Sequence, residues 1–180
     1  AKGVSLGIVA PDGRDGMLQH AREFRDAGIP FIFDPGQGLP MFNGEELTRF
    51  IDLADYVTVN DYEAELLQER TGKSLEQMAK QVEALIVTLG AKGSVIHAEG
   101  KKFDIPCVKP EAVLDPTGCG DAFRAGLLYG ITHRMDWAVT GRLASLIGAL
   151  KIAQRGPQNH SFTRESIADG YRANFGAAPW

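Results

Sequence analysis

Strand-sized apolar runs alternate with segments of helical periodicity along most of this chain, and no other feature restricts its possible folds as much. Val4–Val9, Ile29–Phe33, Tyr56–Val59 and Ala84–Thr88 read as strands. Between the first two, Met17, Leu18, Ala21 and Phe24 recur at helical spacing until Gly28 stops the helix. Leu47, Phe50 and Ile51 mark a second helix, and Ala64, Leu66 and Leu67 a third that ends near Gly72. Ser74 and Gln77 have the form of a capping box for the next. Asp34-Pro35-Gly36-Gln37-Gly38 reads as loop. Apolar strands separated by amphipathic helices predict an α/β fold with a doubly wound, mostly parallel sheet and helices on both faces.

Beyond Thr88, Ser94–His97 and Lys101–Ile105 read as a hairpin joined through Ala98-Glu99-Gly100. Asp121–His133, Asp136–Ala153 and Arg164–Phe175 are the remaining helices. No composition break or repeat divides the chain, so residues 1–180 read as one α/β domain, long enough to enclose a core. With 44% hydrophobic and 23% charged residues, a largely disordered chain is excluded. The net charge of −4 offers no long-range attraction to nucleic acid or an anionic membrane, and no apolar stretch is long enough to span a bilayer. Two cysteines, Cys107 and Cys119, are too few for a disulfide scaffold and read as reduced thiols in a cytoplasmic protein. The sequence opens without Met and enters a strand almost at once, which reads as a piece of a longer chain.

In open α/β sheets, ligands collect at the carboxyl ends of the strands. The loop Asp115-Pro116-Thr117-Gly118-Cys119-Gly120-Asp121 runs into a helix, and glycines there let backbone N–H groups converge on an anion. Asp121 in the first turn can be simple dipole compensation. A carboxylate beside a phosphate cradle would also repel phosphate, a conflict that makes sense for a base taking a proton as a phosphoryl group arrives. Asn60 and Glu63, three apart after a strand, suit Mg²⁺ that keeps several waters, or equally an Asn cap followed by acids. Thr88, Gly90 and Gly93 permit close approach to a nucleotide, or form an ordinary turn into the hairpin. Two decoys fail. Gly118 and Gly120 would require a third dinucleotide-fingerprint glycine where Phe123 stands, and Gly72-Lys73-Ser74 would require a first P-loop glycine where Leu67 stands.

The segment from Asp115 to Leu128 resembles the C-terminal signature of the PfkB-type carbohydrate kinases, the ribokinase family. Asn60-x-x-Glu63 and Thr88-x-Gly90-x-x-Gly93 follow the order that family uses. The resemblance covers nearly the whole chain but only the larger C-terminal portion of a family member. The part without a counterpart supplies early strands, the lid and much of the sugar pocket. Cys119 stands where the family usually has Ala or Gly.

The resemblance implies ATP-dependent phosphoryl transfer, with Asp121 as base and the backbone N–H groups of Gly118, Cys119 and Gly120 as anion hole. It implies Mg²⁺ organised by Glu63 and Asn60, and a nucleotide site lined by Thr88, Gly90 and Gly93. A monovalent cation such as K⁺ is implied beside Asp115, Thr117, Lys151, Gln154, Gly156 and His160. The implied partner is a small nucleoside or sugar, with a homodimer as the candidate assembly. Phe33–Gln37, Asn60–Ala64 and Gln158–His160 look more like bacterial adenosine kinases than ribokinases or fructokinases, so adenosine is the expected acceptor and ribose the runner-up. Two other readings stand beside this one: a nucleotide-binding fragment without turnover, and a dinucleotide-dependent oxidoreductase. Lacking the lid, the 180-residue chain by itself is expected to be inactive.

Overall fold

The computed structural model describes residues 3–180, which separate into two compact units. The first runs as far as Leu89 and includes Val95–Phe103; the second comprises Gly90–Ser94 and Asp104–Trp180. A six-stranded sheet, most of it in the first unit, runs in sequential order: β1 (Gly7–Val9), β2 (Phe31–Phe33), β3 (Tyr56–Asn60), β4 (Ala84–Thr88), β5 (Ser94–Ala98) and β6 (Lys101–Ile105). The first four strands are parallel, which gives the mostly parallel α/β sheet the sequence predicts. Helices α1 (Arg14–Asp26), α2 (Gly44–Leu53), α3 (Asp61–Thr71) and α4 (Leu75–Ala79) connect them. Phe31, Ile32 and Phe33 are each fully buried, so β2 is shielded on both faces, as parallel sheets require. In the core, Phe33 stacks on Phe50 at 4.3 Å and Phe42 meets Phe50 edge-on at 5.0 Å.

Local sequence sets most boundaries. Ser74 and Gln77 form the expected capping box of α4, and Gly72 ends α3 in the left-handed conformation. The β5–β6 hairpin turns at Glu99 and Gly100, both with positive φ, the conformation a two-residue connection needs. Three expectations are corrected. Val4–Ser5–Leu6 lie outside β1, because the ladder with β2 begins only at Gly7. Ile29 and Pro30 likewise precede β2. Gly36–Met41 is a 3₁₀ helix rather than plain loop, and it buries Leu39.

The second unit is built on α5 (Cys119–Thr132), α6 (Trp137–Ile152) and α7 (Arg164–Phe175). Helix α5 begins two residues earlier than its periodicity suggests, and α7 spans the predicted residues. Asp136 and Ala153 prove to be the caps of α6. Gly126 and Gly130, one turn apart on α5, face Ala144 and Thr140 of α6. A Cβ at Gly126 would stand 2.5 Å from the Ala144 Cα, so the bare glycine face permits this close crossing. Leu143, Leu146, Ile147, Ile167 and Tyr171 complete the core. Among the described residues, no helix is long and apolar enough to cross a membrane.

Candidate active site

In the first unit, the sheet aligns two of the predicted residues. Asn60 and Thr88 are register partners at the carboxyl ends of β3 and β4, so they lie side by side. Asn60 is also the N-cap of α3. Its Oδ1 accepts from the Glu63 N–H at 2.8 Å, while Glu63 Oε2 accepts from the Asn60 N–H at 2.8 Å. Asn60 Nδ2 donates to Glu63 Oε1 at 2.9 Å. The capping reading of this pair therefore describes its geometry. It does not exhaust the carboxylate, whose two oxygens carry about four acceptor positions. An amide and a carboxylate fixed together at a strand end suit a hard cation held through water.

In the second unit, the loop before α5 is held by one carboxylate. Asp115 Oδ1 accepts from the Thr117 N–H at 2.9 Å and Oδ2 from the Gly156 N–H at 2.8 Å. These bonds, the Thr117 hydroxyl and the nearby Lys151 charge hold the Asp115 carboxyl at about 2. Lys151 is fully buried, and its Nζ donates to the carbonyl oxygens of Asp115 at 2.8 Å and Gln154 at 3.1 Å. The structure thus brings together Asp115, Thr117, Lys151, Gln154 and Gly156. His160 stands differently: its ring stacks on Phe162 at 5.8 Å, and its buried Nδ1 has no partner among the described residues.

Gly118 is the N-cap of α5 with φ +80, a conformation that favours glycine. An added Cβ would stand 3.0 Å from the Pro157 carbonyl oxygen. Among the described residues no side chain caps this helix start, and the leading N–H groups of a helix have no intrahelical partner. The Cys119 N–H donates to the Pro116 carbonyl at 3.1 Å. Burial pushes the Cys119 thiol up, above its ordinary range. Asp121 is well exposed in the first turn, its side chain 85% accessible. Arg124 Nη1 lies 3.4 Å from Asp121 Oδ1, a pairing that sequence reasoning missed. Their (i, i+3) spacing on a helix was the available signal.

Gly90 and Gly93 bracket a 3₁₀ turn, with φ of +57 and +95. A Cβ at Gly93 would lie 2.1 Å from the Ile105 carbonyl oxygen, so the turn itself demands that glycine. A surface depression elsewhere is lined by Asn43–Glu45, Thr48, Arg70 and Thr71.

The profile of the pfkB family of carbohydrate kinases matches residues 4–164. The structure is similar to that of Burkholderia thailandensis nucleoside kinase in complex with inosine. The two share 55% identity and a TM-score of 0.97, covering 99% of this chain and 58% of that one. The nucleoside kinase of Methanocaldococcus jannaschii is 34% identical over 137 residues, 76% of this chain and 45% of that protein. The ribokinase of Lactococcus lactis subsp. lactis is 35% identical over 111 residues, 61% of this chain and 36% of that protein. The chain spans about half the length of the curated nucleoside kinases it matches. The parallel sheet, the Asp115–Asp121 loop entering α5 and a family match over most of the chain agree: this chain belongs to the pfkB family of carbohydrate kinases.

Proposed function

We propose that the full-length protein transfers the γ-phosphoryl group of MgATP to a hydroxyl of a nucleoside. A purine nucleoside such as adenosine is the first choice and ribose or fructose the second. One observation carries the reading: the start of α5 presents uncapped N–H groups and an exposed carboxylate within a single turn. The likeness to nucleoside kinases, one of them described with inosine and another time with ADP-inosine, supports the choice of acceptor. Residues 1–180 are read as one kinase domain.

In this scheme Asp121 accepts the proton of the acceptor hydroxyl as its oxygen bonds to the γ-phosphorus. The bond from that phosphorus to the bridging oxygen breaks, and ADP leaves. The N–H groups of Gly118, Gly120 and Asp121 receive the charge spread over the transferring oxygens; Cys119 serves by shaping the turn. Asn60 and Glu63 would hold Mg²⁺, and Thr88, Gly90 and Gly93 would line the nucleotide. When bound, Mg²⁺ neutralises charge on the phosphates. The test is Asp121→Asn in the full-length protein, assayed with MgATP and adenosine, inosine, ribose or fructose. Loss of the base should lower kcat by ~10²–10⁴-fold while ATP still binds. Turnover near wild type would remove Asp121 from the reaction.

A further inference from the structure

Lys151 sits near the end of α6 in the otherwise apolar run Leu146–Ile152, with no exposure to solvent. An ammonium is strongly hydrated in water, and burying one is costly unless partners replace that hydration. Here the partners are two main-chain carbonyl oxygens, of Asp115 and Gln154. Both belong to segments that frame the start of α5: Asp115 opens the loop to Gly118, and Gln154 follows α6. The Asp115 carboxylate adds negative charge nearby and is itself fixed by the Thr117 and Gly156 N–H groups.

Carbonyl oxygens around a fixed single positive charge are the arrangement by which proteins hold a dehydrated potassium ion. The family resemblance implies such an ion beside these same residues. The structure does not fit it. Two of the oxygens it would use already bond an ammonium that the chain itself provides, and two like charges cannot share so small a space without strong repulsion. His160, the remaining side chain of the implied set, joins none of these bonds.

We propose that Lys151 takes the place of the monovalent cation. Its tethered ammonium fixes the Asp115 carbonyl and, through the Asp115–Thr117 and Asp115–Gly156 bonds, the path of the chain into Gly118. Lys151 is thus a positioning residue, and the protein needs no added potassium. The catalytic half of this statement rests on the kinase reading; the structural half does not.

The experiment compares potassium, ammonium and tetramethylammonium chlorides at constant ionic strength on the full-length protein. Tm is measured, and turnover of adenosine with MgATP is measured separately. Wild type should give one Tm and turnover within about twofold in all three salts, because no cation seat is left to fill. A potassium-specific rise of about tenfold in turnover, or of several degrees in Tm, overturns the proposal. Lys151→Met keeps an unbranched chain and removes the charge. Its Tm should fall and be partly restored by potassium or ammonium, but not by the bulkier tetramethylammonium. A folded Lys151→Met protein whose Tm ignores all three salts also overturns the proposal. If that variant fails to fold in any salt, the wild-type titration decides. A wild type without turnover on any acceptor would remove the kinase reading, while the Tm titration would still test the ammonium seat.

Discussion

Gly126→Ala and Gly148→Ala make a paired test of how α5 and α6 are packed. Both glycines lie inside helices, where replacing Gly by Ala contributes about 0.5–1 kcal/mol through lower chain entropy. They differ in what the new methyl meets. At Gly126 the Cβ would stand 2.5 Å from the Ala144 Cα and 2.9 Å from its N, both backbone atoms that cannot rotate aside. Restoring ordinary contact means moving the helices apart by about 1 Å, and overpacking of that kind costs about 1–3 kcal/mol. The clash should win, leaving Gly126→Ala less stable by about 1–2 kcal/mol. At Gly148 the nearest atom is the Cys119 carbonyl oxygen at 3.8 Å, so only the propensity gain remains. Urea denaturation of the two full-length variants should separate their midpoints by about 1 M, given m-values of about 1–3 kcal/mol/M. A Gly126→Ala protein as stable as wild type would show that the helices do not meet as closely as described.

Glu63→Gln should raise the Mg²⁺ concentration needed for half-maximal turnover and leave the protein folded; an unchanged Mg²⁺ titration would reduce Glu63 to its capping role. Glu63→Ala should additionally lower stability by about 1 kcal/mol, read from the urea midpoint, because the box with Asn60 is lost. Burial, followed by the 2.7 Å hydrogen bond from its hydroxyl to Glu83, raises the Tyr56 pKa well above its ordinary value. The folded state therefore keeps this proton longer than the unfolded chain. The resulting stability is complete below the unfolded pKa near 10 and is lost above it at about 1.4 kcal/mol per pH unit. Tyr56→Phe should flatten that alkaline decline, and an identical slope in urea midpoints against pH would refute the assignment.

Where periodicity and punctuation agree, the sequence is a good guide to this fold. Arg164–Phe175 and Ala84–Thr88 have the same limits by pattern and by structure. Val4–Ser5–Leu6 reads as strand by composition, but a strand requires a partner, and pairing starts at Gly7. The Pro- and Gly-rich stretch after Asp34 looks like loop because composition cannot show that its turns form a 3₁₀ helix over a buried Leu39. At the site, the glycine-rich entry to α5 was legible because few residues tolerate such a backbone. Capping boxes also open α2 (Asn43–Glu46) and α7 (Thr163–Ser166); the first has the four-residue form of Ser74–Gln77, whereas Ser166 departs from the Glu or Gln that marks the motif. The partners of Lys151 were not legible at all. Its position in an apolar helix hints at burial, but its two acceptors are main-chain carbonyls, and those carry no side-chain signature.

Asn60 fastens the Glu63 carboxylate as part of beginning a helix. Confining a buried glutamate side chain to one rotamer costs about 1.5–2 kcal/mol of conformational entropy, and a half-exposed one somewhat less. Here that loss is absorbed when α3 forms rather than when a ligand arrives. A water or ion that meets Glu63 therefore finds a nearly motionless acceptor, and its affinity is not reduced by the need to still a swinging side chain. The same economy makes the residue unforgiving: shortening it to Asp keeps the charge but releases the tether, so the lost rigidity, rather than the chemistry of the carboxylate, should set the size of the defect.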